Sequence, residues 1–501
     1  MVIDKLLAFW RPLAIALVLG AVPGLAHAEW RRAETDHFVV YSNGSERNLR
    51  DYAVRLERFD ALVRSRTSLP PARNVRKLPV YLVANRRDLA IVRPGLPDGV
   101  SGFYSASDRD IRAVVVRGLG DDILLHEYAH HFMFQNFPGG YPGWFTEGFA
   151  EYFMTATVND RGRATIGYFN PGRLHTLNQQ AWIPMDTVLR ARPRDLERRG
   201  QRSAYYAQSW LLLHYVFGDP ERVRKLDAYL TAVVRGADPV EALQTHFDLT
   251  PDSLEQTLRG YLNGRMTYLE LDVPVIDPHV VVTSLPDSAD DTLLFALDIR
   301  DGAPDSEGPG LLARARTIAA GHPQDPLILA ALARAELEWG EPPAAEAALA
   351  TILGAEPDNG EALRLLAETR MSAGDALDDP TERERLYRQA RGLLARAMNA
   401  DPTDYRVYRL LAHSRQAAPD YPTDNDLETW RLAVAHAPQV LPIRGEAAEA
   451  MLRRDLHDEA TALLLPVAND PHGGGNAERA RDMLARIQTE RAEAGASIAT
   501  P

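Results

Sequence analysis

Hydrophobic and polar positions follow two rhythms along this chain. Between Glu46 and Arg66 the apolar residues Leu49, Tyr52, Ala53, Leu56, Phe59 and Leu62 recur at helical spacing and predict an amphipathic helix. The runs His37–Ser42, Leu78–Val83 and Ile111–Val116 are short, β-branched and aromatic, and predict strands. After them, residues 164–169 read as a short strand and Ile183–Arg190 as a turn into a helix. Ser203–Phe217 reads as a strongly apolar helix, followed by helices at Asp219–Val234 and Ser253–Asn263. Leu271–Pro286, with Pro274, Pro278 and Pro286, reads as a linker. Beyond it Ala, Leu, Glu and Arg take over at helical spacing. Pro323, Leu329, Leu332-Ala333 and Gly340 line up with Pro357, Leu363, Leu366-Ala367 and Gly374 at an offset of thirty-four residues. Pro402 with Leu411-Ala412, and Pro438 with Ala447-Ala448, continue the register after an insertion around Asp375–Arg383.

Composition adds bounds to this pattern. A chain of 501 residues, 45% hydrophobic and 25% charged, is globular material for at least two domains. Its net charge of −13 argues against nucleic acid as a partner, although the segment from Arg31 to Arg117 is locally basic. Residues 1–28 read as a secretory signal, with Lys5 and Arg11 flanking the start, an apolar run from Leu13 to Val22, and Ala26-His27-Ala28 as the cleavage site. The expected location is periplasmic or secreted, with a membrane anchor as the alternative if that segment stays uncleaved. Cysteine is absent, so core burial and any bound metal must stabilise the fold without disulfides.

The chemistry concentrates between Asp121 and Phe153. His126-Glu127-Tyr128-Ala129-His130 places two histidines four apart on one helical face, where both imidazoles reach one ion. Glu127 sits beside them, placed to take a proton from water. Pro138-Gly139-Gly140 ends that helix, and a second, starting near Trp144, pairs Glu147 and Glu151 at spacing four. A catalytic zinc takes three protein ligands and keeps a fourth position open, and Glu147 is the natural third.

HEYAH followed by PGWFTEGFAEYF resembles the gluzincin metallopeptidases, and most closely their peptidase MA-like branch. The resemblance implies an α+β zincin-like domain, with His126, His130 and Glu147 as zinc ligands and Glu127 as general base. It also implies that Glu151 orients a ligand histidine. The sixteen residues between His130 and Glu147 are slightly fewer than in the zinc aminopeptidases that share the EGFA string. Tyr206-Ala207-Gln208-Ser209 is similar to the aminopeptidase helix whose phenol stabilises the oxyanion; this implicates Tyr206, with Tyr205 as the neighbouring candidate. In such enzymes an edge strand pairs with extended substrate, a role open to residues 100–104 or 111–116. His175, His214 and His246 read as core histidines. The thirty-four-residue repeat resembles tetratricopeptide repeats, an all-α array that implies a protein partner.

The expected organisation is a signal peptide at 1–28, a gluzincin-type domain at 29–270, a linker at 271–285, tetratricopeptide-like repeats at 286–490 and a disordered tail at 491–501. The expected activity is zinc-dependent hydrolysis of peptide or protein substrates. The alternative is an envelope scaffold that binds partners through the repeats and carries a structural or vestigial zinc site.

Overall fold

In a computed structural model, residues 29–70, 76–96, 100–118, 121–196, 199–470 and 474–498 are described. The expected signal segment, 1–28, lies outside the described residues. Among those described, no helix is long and apolar enough to cross a membrane.

The chain opens with β1 (Arg31–Glu34), β2 (Phe38–Ser42), α1 (Glu46–Thr67), β3 (Leu78–Val83) and α2 (Arg86–Val92). The hairpin β4 (Gly102–Ala106) and β5 (Ile111–Val116) leads into α3 (Asp121–Asn136) and α4 (Gly143–Phe153). Next come β6 (Thr157–Val158), β7 (Arg163–Ile166), α5 (Pro171–Gln179), α6 (Met185–Arg190) and α7 (Arg199–Phe217). Helices α8 (Pro220–Val234), α9 (Pro239–Phe247) and α10 (Pro251–Leu262) precede the strands β8 (Leu269–Asp272) and β9 (Val281–Ser284).

Six strands form one sheet in the order β4-β5-β3-β2-β1-β9, parallel at β2/β3 and β3/β5 and antiparallel elsewhere. Strand alternation sends Val80, Leu82, Ala113 and Val115 to one face, where they pack with Leu49, Leu56 and Phe59 of α1 and with Leu125 and Phe132 of α3. Tyr81, Val83, Val114 and Val116 face the other way, against Leu89 and Val92 of α2. Strand β5 is interior and β4 forms the edge, so of the two candidate edge segments only 100–104 overlaps an open strand.

The segment expected as a linker is built into the fold. β8 pairs with β7 in a small second sheet, and β9 pairs with β1, Val281 opposite Glu34 and Ser284 opposite Arg31. Pro274 and Pro278 fall between the two strands and Pro286 just after β9, so the prolines punctuate strands here.

The repeats comprise α11 (Ala289–Asp301), α12 (Gly308–Gly321), α13 (Pro326–Trp339), α14 (Pro342–Ala355), α15 (Gly360–Asp375) and α16 (Pro380–Ala400). They continue as α17 (Tyr405–His413), α18 (Asp424–His436), α19 (Leu441–Leu452), α20 (His457–Ala468) and α21 (Gly475–Ile498). α15 begins thirty-four residues after α13, and consecutive helices pack on one another, the tetratricopeptide-like arrangement expected from the period. The insertion around 375–383 lengthens α16 to 21 residues, against 14 in α14. The tail expected to be disordered is helical as far as Ile498, since Arg491-Ala-Glu-Ala is good helix-forming sequence with no proline before the end.

The array is anchored to the sheet at several points. Ala289, Leu293, Leu294 and Leu297 of α11 complete the core on the α2 face, and Tyr405, Trp430, Ile443 and Leu464 belong to the main core. The β4–β5 turn lies against α11 and α17. Arg300 of α11 donates to Asp110 at 2.8 Å, Tyr405 of α17 donates to the Ser107 carbonyl at 2.7 Å, and Arg409 pairs with Asp108 at 3.2 Å.

Candidate metal centre

Helix α3 is fixed from below. The Tyr128 hydroxyl donates to Asp60 on α1 at 2.5 Å, and Arg64 donates to the same carboxylate at 2.7 Å. Phe132, Leu125 and Ala129 are buried against the sheet, so His126, Glu127 and His130 are left on the face turned towards α4. Helix α4 in turn packs closely on α7. A Cβ on Gly148 would stand 2.7 Å from the Ser209 carbonyl oxygen, so glycine is what allows the two backbones to approach.

These two pairings bring three donor atoms together. His126 Nε2 and His130 Nε2 are 3.1 Å apart, and Glu147 Oε2 lies 3.5 Å from the first and 3.3 Å from the second. Three ligands of a tetrahedral ion with bonds of about 2.0–2.1 Å would stand roughly 3.3 Å from one another, so this triangle has the size that zinc requires. His130 and Glu147 are buried, and the three form a group able to hold a metal ion. Negative charge surrounds the triangle. Burial alone would push His126 down, but Glu147, Glu151 and Glu127 together raise it to about 9.

Around the triangle, Glu151 is fully buried, and its Oε1 lies 3.4 Å from His126 Nδ1. Arg173 of α5 grips the same carboxylate in a fork, Nε to Oε2 at 2.7 Å and Nη2 to Oε1 at 2.6 Å. The sequence reading missed Arg173: it lies twenty-two residues beyond Glu151, and no local pattern marks it. Its guanidinium also sits over the Tyr206 ring, 5.1 Å from the centroid.

The two tyrosines of α7 point apart, as adjacent helical residues must. The Tyr206 ring lies 6.4 Å from that of His126, and burial with Glu147 nearby keeps its hydroxyl protonated. The Tyr205 hydroxyl instead donates to the Ala191 carbonyl at 2.9 Å, away from the centre. His214 is a satisfied buried histidine, its Nε2 at 3.0 Å from the Gly167 carbonyl and its Nδ1 at 2.8 Å from the Tyr261 hydroxyl. His175, expected in the core, is exposed on α5, and His246 is half-buried near the end of α9. His131 turns away from the triangle: burial pushes it down to about 3, and its Nδ1 lies 3.0 Å from the Tyr104 hydroxyl on β4.

No family model matches the chain, and neither does any curated protein. Solved structures similar to it include TTC0263, a thermophilic TPR protein of Thermus thermophilus, at 20% identity and a TM-score of 0.35 over 40% of this chain and 99% of that one. MamA is similar at 14% identity and 0.26, over 37% of this chain and 92% of MamA. The human IFIT1 dimer with PPP-AAAA is similar at 14% identity and 0.23, over 63% of this chain and 80% of that one. The repeat character of the carboxy-terminal half rests on its own helix pairs and thirty-four-residue period.

Proposed function

We propose that the protein is a zinc metallopeptidase that acts on peptide or protein substrates. The observation that carries the reading is the triangle of His126, His130 and Glu147 donor atoms, with Glu127 beside it on a cleft. Zinc bound by these three residues would supply a Lewis acid that polarises the scissile carbonyl and acidifies water. Glu127, half-buried and lining the cleft, takes the proton from the attacking water and passes it to the leaving amine. Tyr206 donates its hydroxyl to the developing oxyanion. Glu151, clamped by Arg173, holds the His126 ring so that Nε2 faces the other two ligands. The signal-like sequence of residues 1–28 supports action in the periplasm or outside the cell.

The alternative, an envelope scaffold, is supported by the helical array, since stacked helix pairs commonly hold extended partners. Glu127→Gln separates the two readings. The variant should bind about one zinc per chain and melt as wild type does, yet cleave nothing, whereas His130→Ala and Glu147→Ala should lose the metal. Equal cleavage by wild type and Glu127→Gln would remove the mechanism; stoichiometric metal in both ligand variants would remove the site.

A further inference from the structure

The repeats reach the candidate centre. A cavity of about 580 Å³ extends from Glu127 to the far end of the array. One wall is Phe103 and Tyr104 of β4, which among the described residues has a strand partner on one side only, and the floor is Glu127 and Phe134 of α3. Phe134 stacks on the His130 ring, with 11° between planes. The opposite wall comes from the repeats: Leu441 and Pro442 at the start of α19, and Pro466 and Val467 near the end of α20. Both walls thus carry aromatic or aliphatic side chains, with Gln439, Asn469 and Asn476 as polar groups among them.

That second wall is held in place. Gln439, two residues before Leu441, lines the same cavity as Tyr104, whose hydroxyl meets His131 of α3 at 3.0 Å. On the other flank Asn469 donates to the Gly140 carbonyl at 3.2 Å, and Arg192 donates to the Ala468 carbonyl at 3.1 Å. Together with the grip on the β4–β5 turn, these contacts fix the width of the cleft. An extended chain suits an open strand edge, because its backbone can pair with β4 while its side chains meet the repeats.

We propose that the repeats supply the specificity wall of the substrate cleft, and that Leu441 selects extended peptides with a bulky apolar side chain beside the scissile bond. The inference rests on the peptidase reading and adds a substrate class to it. Its test uses zinc-loaded wild type, Glu127→Gln, Leu441→Asp and Leu441→Ala with a defined mixture of synthetic peptides, the cut positions being read by mass spectrometry. Wild type should cut beside Leu, Ile, Met or Phe. Leu441→Asp should lower kcat/KM on those peptides by roughly tenfold or more, the scale on which apolar pockets discriminate, and raise it on peptides with Lys or Arg at the same position. A merely structural role for Leu441 would not produce that exchange of preference. Leu441 is half-buried, and Leu441→Ala, the milder change, should shift the preference towards Phe and Trp even if the aspartate variant folds poorly. Cleavage that depends on Glu127 but shows no apolar preference, or the same profile in wild type and the folded Leu441 variants, would overturn this inference and leave the peptidase intact. No cleavage by zinc-loaded wild type would overturn the peptidase reading, and this inference with it.

Discussion

Asp110→Asn is the most demanding test of how the two halves are joined. Asp110 lies in the β4–β5 turn and is fully buried. It accepts from the Ile111 amide at 3.0 Å and from Arg300 at 2.8 Å, with Arg112 at 3.5 Å and Arg76 at 3.6 Å. Burial by itself would raise its pKa, yet Arg300, Arg406, Arg76 and Arg112 hold it below the usual carboxylate range. Asparagine keeps the shape and removes the charge, leaving cations in the interior with less compensation. Breaking a buried pair in this way costs about 3–5 kcal/mol, which for a chain of this size lowers Tm by roughly 3–5 °C. Thermal unfolding followed by circular dichroism on the zinc-saturated protein measures it, with limited proteolysis to show whether the repeats and sheet separate first. Adding Arg300→Met should recover part of the loss, because replacing both partners of a buried pair costs less than removing one. An Asp110→Asn protein that melts within a degree of wild type would refute the claim that this charge ties the repeats to the sheet.

Two further outcomes follow from the site and the array. Tyr206→Phe should lower kcat by about 10²-fold with KM little changed, as for loss of an oxyanion donor, while Tyr205→Phe should cost only about 1 kcal/mol of stability through its hydrogen bond to Ala191; steady-state kinetics and melting on both variants would expose a reversed assignment. Glu446 is the pH-sensitive link: burial would raise it, but hydrogen bonds from His413 and Arg409 bring it from 4.5 to about 2. Because the folded value is depressed, the stability it contributes is present above about pH 4.5 and is lost as pH falls towards 2. Tm should therefore fall less steeply between pH 5 and 3 in Glu446→Gln than in wild type, and parallel curves would count against the Arg409–Glu446 link.

What the sequence made legible was governed by distance along the chain. The ladder from Leu49 to Leu62 in α1 and the pairing of His126 with His130 are contacts within one or two helical turns, and such contacts leave a period in the sequence. The thirty-four-residue register was visible for the same reason, since each repeat packs mainly on its neighbours. β9 was not, because its partner β1 lies some 250 residues away, as in the pair Arg31 and Ser284, and three flanking prolines gave a stronger local signal for a linker. Arg173 was hidden likewise: a single arginine near the start of a short helix carries no sign that its fork will close on Glu151.

The most consequential omission was of the same kind. Residues 107–110 and Gln439 carry no local sign of each other; only the fold sets Tyr405 against the Ser107 carbonyl and brings Gln439 into the cavity that Tyr104 of β4 lines. An array that looked like an appended binding module along the sequence thus becomes a wall of the cleft. Helices α11 and α17 engage the protein's own β4–β5 turn, while α19 and α20 line the cavity that opens onto Glu127, so the array is built into the proposed cleft at two places.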